Sequence, residues 1–300
     1  MDRQHALEIF IAVADTGSFA AAARQLRISP TAVTRAVAFL EDRIGVSLFN
    51  RTTRSVTITE PGRLYLQTVR RALQEMDEAE KAAAGETAIA RGHLTLTAPV
   101  AFGRMHLAPV LAAFLREHRQ VTATLLLLDR VTHLIEEGID VAARIASLPD
   151  SATIVRRVGE VGRVLVASPD YLARAGTPTQ PEDLKQHDMV AFTGLLPNRE
   201  WRFAQEGRSI SIAIEPRLTI NDAAAAIDLA EQGGGITLAL SYMVASRLRQ
   251  GTLRRVLEPF EPPAVPVQLC YPDTRIVPTR LRAFIDFAAP RLQQRLEGCR

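Results

Sequence analysis

Lysine is almost missing from this 300-residue chain. It occurs only at positions 81 and 185, so arginine supplies nearly all of the positive charge. Arginine favours two-pronged contacts with phosphate or guanine, although a genome-wide codon bias would leave the same composition. Cysteine is also scarce: Cys270 and Cys299 are too few for a disulfide framework. A reduced, cytoplasmic protein is therefore the expectation.

Long apolar runs are absent as well. No stretch approaches the ~18 apolar residues of a membrane span, and the first residues lack the basic-then-apolar order of a signal peptide. We therefore expect no membrane partner. Apolar residues nevertheless make up 47% of the chain, which suits a globular protein of two or three domains.

Sequence signatures of enzymes and metal sites are missing too. The chain contains no GxSxG, Walker or GxGxxG motif. Six histidines, at positions 5, 93, 106, 118, 133 and 187, form no HxxxH or HxH pair, and neither cysteine has a nearby ligand partner. We expect no catalytic residue, no metal site and no cofactor, and hence a protein that is not an enzyme.

Two short amphipathic segments stand out between Ser18 and Arg54. Ser18 can cap the first, and Ser29 can cap the second, with Pro30 at the first helical position. Apolar residues recur at helical spacing in both. They are Phe19, Ala22, Ala23 and Leu26 in the first, and Val33, Val37, Leu40 and Ile44 in the second. The pattern predicts two helices joined by a tight turn.

The opposite face of the second predicted helix is small, hydrogen-bonding and free of acids. It carries Thr31, Thr34, Arg35 and Ala38. A helix that enters a DNA major groove needs such a face. The tip that follows a short strand adds Arg51, Thr52 and Arg54, which suit phosphate or minor-groove contact. Solvated surface helices and a solvated hairpin tip are the alternatives, since helix-turn-helix shapes also occur without DNA.

Charge is distributed unevenly along the chain. Residues 1–71 contain ten arginines and six acidic residues, a net charge of +4, whereas residues 72–90 contain one lysine and five acids, a net charge of −4. Positive charge is thus concentrated where phosphate would be contacted.

The first 65 residues or so resemble, without gaps, the N-terminal winged helix-turn-helix of LysR-type transcriptional regulators. The matching phrases are LEIFIAVADTGSFAAAARQLRIS, TAVTRAVAFLEDRIGVSLFNRTTR and VTITEPG. The resemblance implies an α/β protein with three parts. These are a DNA-binding domain at 1–59, a linker helix and hinge at 60–91, and an effector-binding domain at 92–300. The last resembles a periplasmic binding protein, with subdomain 1 at about 92–162 and 269–300 and subdomain 2 at about 163–268.

A helix is predicted from about residue 60 to residue 84. Its apolar residues Leu66, Val69, Leu73 and Met76 are spaced as in a short coiled-coil seam. Packing onto its own domain is one interpretation of this seam. The resemblance implies the other, pairing of two subunits, and so a homodimer, or a homotetramer through the effector domains.

Strands alternate with helices from residue 93 onward, which predicts a mostly parallel sheet. VTATLLLL is expected to be a buried strand and VTHLIEEG a helix. Small ligands bind such sheets beyond the strand ends. The corners that the pattern offers are Thr97, Pro99, Val100 and Ala101 after the first strand, then Thr193, then Asn221 and Asp222. Arg144 could pair with a carboxylate, although each residue alone is as well explained as a cap or a surface group.

Together these features predict a sequence-specific DNA-binding transcriptional regulator. Its expected partners are double-stranded DNA, a small-molecule effector of unknown identity, and further copies of itself. The alternatives are an effector-independent DNA-binding protein and a solute-binding α/β protein; the latter would need a signal peptide.

Overall fold

The computed structural model describes residues 2–51, 56–83, 89–146, 153–196, 199–205, 207–273 and 277–298. The chain divides into two compact units, Met1–Ile89 and Ala90–Arg300. Each unit has its own buried core.

Three helices open the first unit: α1 (Arg3–Thr16), α2 (Phe19–Leu26) and α3 (Pro30–Ile44). The predicted caps are present. The Ser18 hydroxyl accepts the Ala21 N–H at 3.3 Å, and the Ser29 hydroxyl accepts the Ala32 N–H at 3.2 Å. Gly45 ends α3 in the left-handed region that glycine adopts without strain. Local side-chain hydrogen bonds therefore set the start of both helices.

A small wing follows α3. Its strands β1 (Phe49–Arg51) and β2 (Val56–Ile58) pair antiparallel. The Glu41 carboxylate accepts the backbone N–H groups of Leu48 and Phe49 at 2.8 and 3.3 Å. This acid in the last turn of α3 thus ties α3 to the wing.

Helix α4 (Glu60–Ala83) is capped by Thr59, whose hydroxyl accepts the Gly62 N–H at 3.0 Å. Of the predicted seam, Val69 is buried and Leu66 and Leu73 are partly buried in the core of their own unit. Those three residues therefore pack onto their own domain, the alternative that the sequence left open. Met76 is 48% exposed.

The core of the first unit centres on Phe10 of α1. Its ring lies 5.4 Å from that of Phe49 and 5.5 Å from that of Tyr65, measured between centroids. The wing and α4 are thereby packed on one aromatic group. One predicted core residue, Ile44, is exposed instead, at the last position of α3.

The second unit contains the remaining helices and strands. In chain order they are β3 (Gly92–Ala98), α5 (Val100–Phe102), a π-helical turn (Gly103–Leu107), α6 (Ala108–Glu117), β4 (Val121–Leu127), β5 (Val141–Ile145), β6 (Thr153–Val161), β7 (Arg163–Ala167), α7 (Pro169–Ala175), β8 (Val190–Phe192), β9 (Glu200–Gln205), β10 (Arg208–Ala213), β11 (Leu218–Ile220), α8 (Ala223–Glu231), β12 (Thr237–Leu240), α9 (Ser241–Gln250), β13 (Arg254–Val256), β14 (Val265–Pro272) and α10 (Thr279–Glu297).

The first subdomain is built on a five-stranded sheet in the order β4-β3-β5-β14-β6. Strand β3 is parallel to β4 and β5, whereas β14 is antiparallel to β5 and β6. The sheet is thus mixed, and the mostly parallel sheet expected from the alternation of elements is wrong. Strand β14, in which the chain returns to this sheet, runs opposite to both of its neighbours. It pairs in this sheet from Val265, so the chain comes back earlier than the predicted residue 269.

The second subdomain uses smaller sheets. Strand β7 lies between β12 and β13, antiparallel to both, while β8 and β11 are parallel and β9 and β10 form a hairpin. Trp201 is buried in its core, where it packs with Phe203 and Tyr171.

Two local predictions fail in the first subdomain. Strand β4 lies at the edge of its sheet, and its side chains alternate in exposure, so it is not a buried strand. The segment from Val131 to Gly138 forms hydrogen-bonded turns rather than a helix. Gly138 has a left-handed backbone (φ 67°), and the Ile139 N–H bonds back to the Leu134 carbonyl at 2.8 Å. The sequence also did not indicate β6 before Val161, or β13.

Candidate DNA interface and ligand cleft

Helix α3 turns one side to solvent. Its core side is formed by Val33, Ala36, Val37 and Leu40, all buried. The α3 outward face, made of Thr31, Thr34, Arg35 and Ala38, is exposed, as its residue types predicted. Helical periodicity alone separates the two sides, because the apolar residues recur about every turn.

The hydroxyl groups at the start of α3 are held by local hydrogen bonds. The Thr31 hydroxyl lies 3.0 Å from the Ser29 hydroxyl, and the Thr34 hydroxyl donates to the Pro30 carbonyl at 3.0 Å. Arg35 has no salt bridge or side-chain hydrogen bond within the described part of the chain. The face therefore presents oriented hydroxyls and a guanidinium group with its donors uncommitted.

Other exposed polar groups lie just before α3 in the chain. Arg24, Gln25 and Arg27 are exposed at the end of α2 and in the turn. No sequence pattern pointed to these three residues. Arg27 has a left-handed backbone (φ 55°), which is uncommon for a residue with so large a side chain. Ser18 is half-buried and engaged as a cap. Of the tip residues, Thr52 and Arg54 lie outside the described residues, and only the backbone of Arg51 is described, in β1.

A cavity of about 340 Å³ lies between the two subdomains of the second unit. The first subdomain contributes the end of β3, strand β5 and the cleft loop, which comprises residues 128–132. The second contributes Arg163, Phe192, Leu195, Leu240 and Met243, among others. This volume is at the small end of the range of ligand pockets.

Three of the predicted effector-binding residues line this cavity: Thr97, Pro99 and Arg144. The Thr97 side chain is buried, and its hydroxyl already donates to the Leu126 carbonyl at 2.9 Å. The Arg144 guanidinium donates to the Thr132 carbonyl at 2.6 Å. Of the three, Arg144 retains the most unused donors, since a guanidinium has five N–H groups.

The other five predicted effector-binding residues do not line the cavity. The Val100 N–H donates to the Asp129 carboxylate at 3.0 Å, and Ala101 lines a separate depression of about 160 Å³. Thr193 is exposed at the start of a short 3-10 turn. Asn221 is also exposed, and it directly precedes a helix cap in the sequence. That cap is Asp222, which accepts the Ala225 N–H at 2.7 Å. Capping thus accounts for Asp222.

The cleft loop is the part of the site that the sequence analysis missed, because it was expected to lead into a helix. Arg130 donates twice to Glu137, at 2.9 and 2.6 Å. These hydrogen bonds, with one from the His133 backbone, hold the pKa of Glu137 at about 2. Val131, between them, is 76% exposed. An ion pair therefore closes the loop and leaves an apolar side chain at the cavity's mouth.

Arg163, at the start of β7, was also missed. It is half-buried, and burial, followed by the positive charge of Arg202, lowers the pKa of its guanidinium. No acidic side chain among the described residues pairs with it. A lowered arginine pKa indicates that the cation is incompletely compensated where it lies.

An aromatic cluster spans the subdomains. The His106 ring lies 5.2 Å from that of Phe102 in the first subdomain and 5.1 Å from that of Tyr242 in the second. Neither nitrogen of His106 has a hydrogen-bond partner among the described residues. Burial, and then the charge of Arg295, lowers its pKa to about 4. His106 is thus a neutral packing group near pH 7.

Metal sites and membrane-spanning helices are both missing from the described part of the chain. No group of three or more His, Cys, Asp or Glu side chains is arranged to hold a metal ion. No described helix combines the length and apolar character that crossing a membrane requires.

Comparisons with known proteins cover nearly the whole chain. The family model of the bacterial regulatory helix-turn-helix protein, lysR family, matches residues 4–63, and that of the LysR substrate binding domain matches residues 88–293. The probable HTH-type transcriptional regulator LtrA of Klebsiella pneumoniae is 31% identical over 284 residues, which cover 94% of this chain and 92% of LtrA.

Solved structures are also similar to this chain over nearly its whole length. CrgA, a LysR-type transcriptional regulator from Neisseria meningitidis, superposes with a TM-score of 0.62 at 31% identity and covers 96% of this chain and 98% of CrgA. Full-length LysG from Corynebacterium glutamicum, with bound effector Arg, shares the fold at a TM-score of 0.57 and 20% identity, covering 98% of this chain and 99% of LysG.

Proposed function

The chain belongs to the LysR family of bacterial transcriptional regulators, and we propose that it binds operator DNA through the α3 outward face. It does so in the cytoplasm, as a homodimer or homotetramer, and a small molecule bound in the cleft alters this binding. The role is one of binding rather than catalysis, in keeping with the regulators that it resembles.

The observation that carries the DNA-binding proposal is the α3 outward face itself. Thr31, Thr34 and Arg35 are exposed, and no acid lies among them. Major-groove recognition requires close approach and donors for base edges, and an arginine can donate two hydrogen bonds to guanine. Ser18, Ser29 and Pro30 lie at the starts of α2 and α3, where free N–H groups favour contact with phosphate. The tip residues Arg51, Thr52 and Arg54 are proposed to contact the DNA backbone.

Helix α4 supports assembly with a second copy. Leu64 is 60% exposed and Met76 48% exposed, and the smaller Thr68 and Ala72 are exposed between them. Residues four apart lie on one side of a helix. We propose that this stripe, rather than the predicted seam of Leu66, Val69 and Leu73, packs against the partner copy. A dimer would place two α3 helices on half-sites about one helical turn apart.

The cleft supports control by an effector. A ligand that contacts both subdomains favours the arrangement in which both contacts are made, and can shift a conformational equilibrium only by that difference in affinity. A coupling energy of about 1–3 kcal/mol between ligand and DNA is typical of such proteins. The cleft also distinguishes this proposal from the effector-independent alternative, for which a lined cavity has no use.

Binding of the full-length protein to genomic fragments tests the proposal. We expect selective retention of a small set of fragments, with an affinity that falls steeply as salt rises, because arginine–phosphate contacts release counterions. Removing the Arg35 guanidinium should then weaken binding to the selected fragments more than binding to the others. Equal affinity for every fragment, or no binding at any salt concentration, would contradict the proposal.

A further inference from the structure

Arg163 occupies a special position in the second unit. It follows directly on the crossing from β6 to β7, and it pairs in register with Leu240 of β12. Both residues line the cavity. A half-buried guanidinium gives up hydration, and this cost is normally recovered through an acidic partner. Among the described residues Arg163 has none.

Four charged side chains line the described part of the cavity: Asp129, Arg130, Arg144 and Arg163. Arg130 is paired with Glu137. Asp129 keeps its negative charge, although it accepts the Val100 N–H, and Arg144 uses one donor on the Thr132 carbonyl. The two remaining arginines, Arg144 from the first subdomain and Arg163 from the second, outnumber Asp129, so the described lining carries excess positive charge.

The remaining wall on the second subdomain is apolar. Phe192, Leu240 and Met243 all line the cavity, and none offers a side-chain hydrogen bond. A fully hydrophilic anion would make no apolar contact with this wall, whereas a purely apolar ligand would leave the two arginines without an anionic partner. The cavity is suited to a molecule with one charged end and one apolar end.

We propose that the effector is a small organic carboxylate. Its carboxylate binds Arg163 and Arg144, and its apolar body packs against Phe192, Leu240 and Met243. Because the two arginines belong to different subdomains, the anion bridges them. This inference rests on the proposed function, since it specifies the class of ligand that acts at the cleft.

Thermal unfolding of the full-length protein tests the inference with matched ligand pairs. The probes are benzoate with benzamide, phenylacetate with phenylacetamide, hexanoate with hexanamide, and inorganic phosphate. We expect one or more carboxylates to raise the melting temperature saturably while the matching amide and phosphate do not. In Arg163→Met the apparent affinity for that carboxylate should fall at least tenfold, and Arg163→Lys should lie between the two.

The unliganded variants add a measurement that needs no ligand. Arg163→Met should melt at a higher temperature than the wild type, because it removes an uncompensated, half-buried cation. Arg249, exposed on α9, provides the matched control. Arg249→Met loses the same charge, and it should keep both the wild-type melting temperature and the wild-type response to carboxylates.

Three results would overturn the inference: amides or phosphate that stabilise the protein as much as the carboxylates, an unchanged carboxylate response in Arg163→Met, or no response to any carboxylate in the panel. DNA affinity measured on the same samples separates this failure from that of the proposed function. If DNA binding is intact and a neutral compound modulates it, the regulator stands and only the carboxylate assignment falls.

Discussion

Arg35 and Arg163 are both arginines without an acidic partner in the described parts of the chain, yet their surroundings differ. Arg35 projects from the exposed face of α3. Arg163 is half-buried at the wall of a cavity, with a lowered pKa. Water solvates the first at little cost, whereas the second has lost part of its hydration before any ligand arrives.

Under the proposed function, the same residue type serves two kinds of recognition. An exposed arginine that contacts DNA also displaces counterions, so its contribution is screened by salt. A half-buried arginine interacts in a medium of lower dielectric, so its attraction for an anion is stronger and less screened. Burial, rather than residue type, thus distinguishes the arginine of the α3 outward face from that of the cleft.

The largest effect is expected from removing the aromatic core of the unit that carries the α3 outward face. Phe10 is buried and contacts the rings of Phe49 and Tyr65. Phe10→Ala should destabilise the first unit by about 3–5 kcal/mol, since it leaves a cavity where the wing and α4 meet. Urea unfolding and DNA binding would both report the loss.

Gln4→Ala is the matched control for Phe10→Ala. Gln4 is exposed on α1, the same helix as Phe10, and surface substitutions of this kind change stability by less than about 0.5 kcal/mol. If Phe10→Ala behaved like Gln4→Ala, the aromatic packing would not be what orients the α3 outward face.

The second prediction concerns the scaffold of the cleft unit. His106 has a folded-state pKa of about 4 against an ordinary 6.5. Between these values the unfolded chain binds a proton that the folded protein does not, so stability is complete above pH 6.5 and falls as the pH drops towards 4. The loss from pH 7 to pH 5 should be about 2 kcal/mol. In His106→Phe this part of the pH dependence should disappear.

The single tryptophan, Trp201, is buried in the second unit and reports its unfolding by fluorescence. The exposed His133→Gln is a suitable control, and it should keep the wild-type pH profile. An identical profile for wild type and His106→Phe would show that His106 is not held neutral by its surroundings.

The smallest effect is expected at the cap of α3. Ser29→Ala removes the acceptor for the Ala32 N–H, which should cost about 0.5–2 kcal/mol of stability. Ser29→Asn keeps an acceptor at this position and should recover most of the loss. Thermal unfolding of the three proteins makes the comparison. A loss that Asn fails to restore would assign the effect to the Thr31 contact instead.

Much of the first unit could be predicted from sequence because its determinants are local. The caps Ser18 and Ser29 bond three residues ahead, and the apolar spacing of α3 separates its two faces. Expectations failed where a distant strand or a long-range contact decides. Strand β4 is apolar yet lies at a sheet edge, and β14 returns antiparallel to β5.

The cleft was predicted only in part for the same reason. Arg144 could be found at the end of a strand pattern, but Asp222 has the same appearance and serves as a cap. Arg163 became visible as a site residue only once β7 and β12 brought it beside Leu240. Its lack of an acidic partner among the described residues is a property of tertiary structure, which no local motif records.

The most direct test of the account is the effect of Arg35→Ala on the affinity of the full-length protein for a selected operator and for a scrambled duplex, at one salt concentration. If the α3 outward face reads DNA, the selected operator should lose about 1–3 kcal/mol of binding free energy, and the scrambled duplex distinctly less. Unchanged affinity for both duplexes would contradict the claim that this face contacts DNA.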